Sequence, residues 1–144
     1  MIYNFTPHSV NIIQENDTRF DSSIRKYVAD ESVTPLMTIQ SSGMLSAKMD
    51  RIYLGLSDGC PIYHKVYRDV DPIPDYVGVD DKIIVSALYY TAYQAVHGSI
   101  DPRLNTIMDL VYDASDTRRT IGSIGIGRCV GRSTRMNIIP SSNW

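Results

Sequence analysis

Only one stretch of this chain carries a clear helical period. The continuous apolar run Ile83–Val85 reads as a buried strand and runs without a linker into Ser86, a good helix N-cap. Beyond it Leu88, Ala92, Ala95 and Val96 recur at helical intervals, and Gly98 follows as a stop. The spacing predicts one principal helix over about 86–97, packed through that narrow stripe of small apolar groups. Tyr89, Tyr90, Tyr93 and His97 lie beside the stripe. A tyrosine offers a flat ring and a hydroxyl that wants a polar partner, which suits a half-wet interface, a core or a nucleobase.

The remaining patterns are short and strand-like. Met1–Asn4 and Ser9–Ile13 read as strands interrupted at Thr6-Pro7-His8, and Arg19–Tyr27 as extended chain. From Ala29 to Gly43 the sequence is polar and poorly periodic, a segment expected to be mobile or to wrap a partner. Lys48–Leu56 and Pro61–Val66 flank Asp58-Gly59, a strong hairpin signal. Asp69–Asp81 holds five aspartates, two prolines and no basic residue, and reads as an acidic surface loop. After the helix comes a polar connection at 101–105, then a strand over Ile107–Tyr112 and a returning arm over Arg118–Arg128. The glycines of that arm, at 122, 125 and 127, point to a bulge or to close approach by another backbone or a ligand. The expected fold is α+β: a mostly antiparallel sheet of hairpins with one helix before the last hairpin, in a single domain spanning 1–144. The segment Asn137–Trp144 reads as a tail that docks on the domain or on a neighbour.

Composition narrows the classes. At 144 residues, 43% hydrophobic and 21% charged, the chain suffices for one real core. No run is long enough to span a bilayer and the N-terminus lacks a secretory pattern, so the expected location is the cytoplasm. Cys60 and Cys129 have no partner histidines at ligand spacing, and Asp80-Asp81 on a strand would point to opposite faces, so neither a metal nor a cofactor is expected. The glycine pattern Gly125–Gly131 misses the dinucleotide fingerprint in spacing and context.

The net charge of −2 conceals a division. Residues 1–102 hold eight Lys or Arg against thirteen Asp or Glu, whereas 103–144 hold six Arg against three Asp. Arginine grips phosphate bidentately and stacks on rings, while a sequence pI of 5.8 speaks against a long nucleic acid. A small anion is the better match. The candidate ligand-binding residues are Tyr89 or Tyr93 for stacking, Arg118, Arg119 and Arg128 for phosphates, and Asp101 and Asn105 for ribose hydroxyls, with Arg103 between them a further candidate. Arg51 and Arg68, which flank the Asp58-Gly59 hairpin, rank second. His8, His64 and His97 stand in no catalytic setting, so no catalytic residue is expected.

The order of short motifs resembles a group of small phage and prophage proteins. The opening Asn4-Phe5-Thr6-Pro7-His8-Ser9-Val10 is similar to their N-x-T-P-H-x-(V/I) start, and Ile84-Val85-Ser86-Ala87-Leu88 to their (I/V)-V-S-x-L junction. Asp109–Asp113 and Thr120–Gly122 are similar to a D-L-V-x-D strand and its x-I-G return. Within that group the chain resembles the Thoeris anti-defence sponges of the first-described Tad family, or a sister sponge family. The resemblance implies a phage protein in the host cytoplasm that sequesters a cyclic ADP-ribose or cyclic oligonucleotide signal without cleaving it. It also implies self-association, as dimers that can build hexamers, with signal pockets at the dimer edge. Two other classes stay open on the residues alone: a phage structural or assembly protein without a nucleotide ligand, and a phosphodiesterase. The sponge reading expects Tyr89→Ala or Arg118→Ala to weaken binding while leaving the fold intact.

Overall fold

The junction at Ser86 forms as its sequence predicts. The Tyr89 N–H donates to Ser86 Oγ at 3.1 Å, opening a helix over Ala87–His97, and Gly98 closes it at φ 76° in the left-handed region. In this computed structural model, which describes residues 1–129, that helix accompanies ten strands. In chain order these are β1 (Ile2–Asn4), β2 (Val10–Ile12), β3 (Arg19–Asp21), β4 (Lys26–Ala29) and β5 (Met37–Ile39). They continue with β6 (Ala47–Ser57), β7 (Cys60–Val70) and β8 (Lys82–Ile84), then the helix α1, then β9 (Leu104–Asp113) and β10 (Asp116–Gly127). The predicted tail over Asn137–Trp144 lies outside the described residues.

The main sheet runs in the order β1-β8-β9-β10-β2-β5. Its two ends meet: Ser41, just past β5, forms a parallel bridge with Asn4 of β1, and the Ser42 N–H donates to the Asn4 carbonyl at 2.7 Å. The sheet thus curls into a small closed wall. Ile84, Val10 and Ile12 pack together inside it with Ile39, Ile107 and Ile126. On the other face of β8, Ile83 and Val85 meet Leu104, Phe5 and the helix residues Tyr89 and Ala92 in the larger core cluster. Alternation along three β8-region residues therefore feeds two cores. A third cluster, Ile13, Ala29 and Val111, lies where β4 joins β9. β9 changes partner along its length, from β8 at Leu104–Asn105 to β4 at Val111–Asp113. Between these stretches Asp109 sits at φ 53°.

Two expectations need correction. Among the described residues four strand pairs are parallel (β1–β8, β8–β9, β4–β9, β2–β10) and four antiparallel, so the sheet is mixed rather than mostly antiparallel. The hairpins were legible in adjacent sequence; the parallel pairs join segments far apart in the chain. Secondly, the helix buries Tyr89 and Ala92, with Tyr93 and Val96 partly buried, while Leu88 is 46% exposed. Residues 89, 92, 93 and 96 form an equally regular helical face. That face wins because the Tyr89 hydroxyl donates to the Asp71 carbonyl at 2.6 Å, allowing a large ring to be fully buried.

The Asn4–His8 turn is built by one side chain. Fully buried Asn4 donates through Nδ2 to the carbonyls of His8 at 2.7 Å and Ile39 at 3.1 Å. Its Oδ1 accepts from the Thr6 N–H at 3.0 Å and the Thr6 hydroxyl at 2.6 Å. A buried amide with every group satisfied fixes both the turn and the β5 contact. The segment from Ala29 to Gly43, expected to be mobile or to wrap a partner, supplies β5, which pairs with β2.

β6 and β7 form a separate two-stranded arm, joined at Asp58-Gly59 with φ 51° and 80°. Both values are positive, the requirement of the tight hairpin turn that Asp-Gly favours. The base of the arm packs on α1 through Ala47, Tyr67 and Val70.

Candidate functional site

Three clefts along the β2–β10 seam share walls. The first, about 320 Å³, is lined by His8, Ser9, Asn11, Ile107, Thr120 and Gly122, among others. It shares His8, Ser9, Val10, Ile107 and Leu110 with a second of about 530 Å³, which extends to Ser86 and Ala87 at the start of α1. It shares Asn11, Thr120 and Ile121 with a third of about 580 Å³, which is walled by Glu31, Ser32, Val33 and Arg119. Together they make one groove from the helix N-terminus to Arg119.

Local sequence explains the shape. β2 and β10 are registered only at Ser123 opposite Ile12, so the strands diverge and open the seam. β10 also slips register against β9 on either side of Thr120. A Cβ on Gly122 would lie 2.6 Å from the Asn11 carbonyl oxygen and 2.9 Å from Ile13 Cδ1, so glycine is what lets the two backbones approach there. The Asn11 amide donates to the Ile121 carbonyl at 3.3 Å and its Oδ1 accepts from the Thr38 hydroxyl at 2.7 Å.

The groove's two ends differ in charge: the start of the helix favours an anion, whereas at the far end one cation, Arg119, faces the carboxylates of Glu31 and Asp113. At one end the first turn of α1 brings its leading N–H groups, of which that of Tyr89 is capped by Ser86 Oγ, and the positive end of the helix dipole. At the other stands Arg119, which pairs with Glu31 and lies 3.6 Å from Asp113. Asp113 is held below the usual carboxylate range, first by the Ser115 N–H and hydroxyl and further by Arg119. The Arg119 and Glu31 side chains are both more than half exposed, so that pair exchanges readily with solvent ions. Between the ends, Ile107 and Ile121 offer apolar surface beside the polar Ser9, Asn11 and Thr120.

The residues singled out in the sequence separate into four places. Tyr93, Asp101, Arg103 and Asn105 gather beside buried Tyr89 at the start of β9. There Arg103 grips Asp101 in a two-point ion pair at 3.0 and 2.9 Å and donates to the Val77 carbonyl at 2.9 Å. Arg103 in turn lowers the Asp101 pKa, chiefly by that hydrogen bond, while Asp101 raises that of Arg103. Burial raises the Tyr93 pKa, with Asp101 adding to it, and burial is also the main cause raising that of Tyr89. Asn105 donates to the Arg103 carbonyl at 3.0 Å. This cluster is internally satisfied, and Tyr89, with no exposed ring face, offers nothing for stacking.

Arg118 and Arg119 sit at the opposite end of β9, roughly 30 Å away along its ten residues. No single nucleotide-sized ligand bridges the two groups within one chain. Arg118 is exposed and pairs with Asp116 at 3.2 Å. Arg51 and Arg68 lie on the arm, Arg51 over the Tyr63 ring at 4.7 Å and Arg68 3.8 Å from Asp50. Arg128 is exposed just past β10, next to Cys129, which lines the cleft at the helix start. Of these residues, Arg119 alone is a wall of the groove. Sequence reasoning missed Ser9, Asn11 and Thr120; the clue was available for Asn11, a polar residue alternating between two buried apolar ones on a strand.

No family model, curated protein or solved structure matches this chain.

Proposed function

We propose that this chain is a phage anti-immune protein that binds a cyclic ADP-ribose-type or cyclic oligonucleotide signal and holds it without cleavage, keeping the host effector inactive. The observation that carries the reading is the groove between α1 and Arg119. A nucleotide signal needs cations or N–H groups for phosphates, polar groups for ribose hydroxyls and apolar surface for a base. Groups of each kind line the groove: Arg119, paired with the exposed Glu31, at one end, Ser9, Asn11 and Thr120 beside Ile107 and Ile121 between, and the helix start at the other. The motif resemblance points to the same ligand class.

The test is to mix the purified protein with a panel of cyclic ADP-ribose isomers and cyclic oligonucleotides, remove free ligand, heat-denature, and identify what is released. Intact ligand in proportion to protein, reduced in Arg119→Ala, supports the proposal. Recovery of altered ligand would make the protein an enzyme, and no retention of any nucleotide would remove the ligand class altogether.

A further inference from the structure

β4 and β9 pair in parallel from Tyr27 opposite Val111 onward. Two positions earlier on the two segments stand Arg25 and Asp109, at φ 55° and 53°. Aspartate tolerates that left-handed conformation, whereas arginine is costly where glycine would be the unstrained choice. Arg25 closes the turn between β3 and β4, and Asp109 lies inside β9, where the pairing with β10 keeps one register on either side. Strained positions of this kind gather at ligand sites. At their level no β4–β9 pair is made, and a cleft of about 410 Å³ opens that both residues line. That volume suits a small molecule. Phe20, Tyr27, Tyr112 and Leu110 form its walls, with Phe20 edge-on to Tyr27 at 5.1 Å and with Phe20 and Leu110 54% and 42% exposed. It meets the groove described above only at Leu110.

We infer that this cleft binds a free α-amino acid with an aromatic or branched apolar side chain. The charges select that class. Among the described residues neither Arg25 nor Asp109 joins an ion pair, with the other or with any further group. One cation and one carboxylate therefore line the same cleft unmatched. Lys26, the remaining charged residue of the lining, is already engaged: its Nζ donates to the Thr117 carbonyl at 3.0 Å and stands 4.3 Å from the centre of the Tyr112 ring. A phosphate would meet the Asp109 carboxylate, and a simple amine would meet the Arg25 guanidinium. An α-amino acid answers both charges at once. Its carboxylate pairs with Arg25, its ammonium with Asp109, and its side chain takes the space against Phe20, Tyr27 and Leu110. Arg119, Asn11 and Thr120 are not part of this cleft, so the inference stands apart from the nucleotide proposal.

Isothermal titration of the full chain with L-phenylalanine, L-leucine, N-acetyl-L-phenylalanine and L-phenylalanine amide tests it. At least one of the two amino acids is expected to bind saturably with a Kd at or below about 1 mM. Each phenylalanine derivative lacks one of the two charges and should bind at least about tenfold more weakly than L-phenylalanine, the loss that one charge-assisted hydrogen bond carries. These comparisons use the unaltered protein, so no folding defect can imitate them. Arg25→Asn and Asp109→Asn, which the left-handed backbone tolerates, then locate the charges. In Arg25→Asn the amide should bind as well as L-phenylalanine, and in Asp109→Asn the N-acetyl compound should do so. Absence of saturable binding by both amino acids, derivatives bound as tightly as L-phenylalanine, or variants that keep the parent's preferences would each overturn the assignment.

Discussion

Tyr89 separates the sequence reading from the structure most sharply. As a stacking ring at a ligand site, its removal would leave the fold intact; as a fully buried core residue, its removal damages the fold first. Its hydroxyl donates to the Asp71 carbonyl at 2.6 Å, and its ring packs among Phe5, Val77, Val85 and Leu104. Tyr89→Phe keeps the ring but strands that carbonyl, for a loss of about 1–3 kcal/mol. Tyr89→Ala also opens a cavity, and aromatic-to-alanine changes in cores cost about 3–5 kcal/mol. Domains of this kind have about 5–15 kcal/mol in total, so the alanine variant sits near the edge of folding. Urea titration followed by circular dichroism reads the effect as a lower midpoint at similar slope for Tyr89→Phe and a large loss for Tyr89→Ala. An alanine variant with the parent's midpoint and diminished nucleotide retention would refute this account and return Tyr89 to the ligand site.

Two further outcomes are expected. Gly122→Ala forces a methyl against the Asn11 carbonyl, a backbone atom that cannot swing aside, and should lower stability by about 1–3 kcal/mol or more in thermal denaturation. For Asp101, whose pKa is lowered chiefly by the Arg103 hydrogen bond, the stabilisation is present above the unfolded carboxylate value of about 3.9 and is lost as pH falls through the lower folded value. Asp101→Asn should therefore be less stable than the parent near neutral pH, with the gap narrowing below about pH 4; a gap constant down to low pH would show that the charge is not the cause.

Local signals were the legible part of this fold. Ser86 and Gly98 bound the helix, and Asp58-Gly59 sets the arm's turn, because caps and tight turns are decided by one or two residues. What escaped were decisions made at a distance. β1 pairs with β8 across some eighty positions, and Asn4 reaches Ile39 across thirty-five, so nothing adjacent in sequence announces either contact. The candidate site suffered similarly. Arginines near each other in sequence, 118 and 119, point to different partners, and Arg103 is consumed by Asp101 two residues away. A basic count cannot distinguish an arginine that is available from one already held.

The same distinction bears on the motifs that carry the family resemblance. Asn4 and Thr6 close the first turn, Ser86 caps the helix, and Asp113 accepts from the Ser115 N–H at 2.9 Å and hydroxyl at 2.8 Å to shape the β9–β10 turn. Each of these residues is explained by backbone geometry, so a shared motif at these positions argues for a shared architecture before it argues for a shared ligand. Under the proposed function the ligand would be decided instead by residues outside those turns, above all Arg119, Asn11 and Thr120 along the groove. An experiment that alters them while sparing Asn4, Ser86 and Asp113 therefore tests function with the architecture left standing. Loss of binding in Arg119→Ala at unchanged stability would tie the activity to the groove itself.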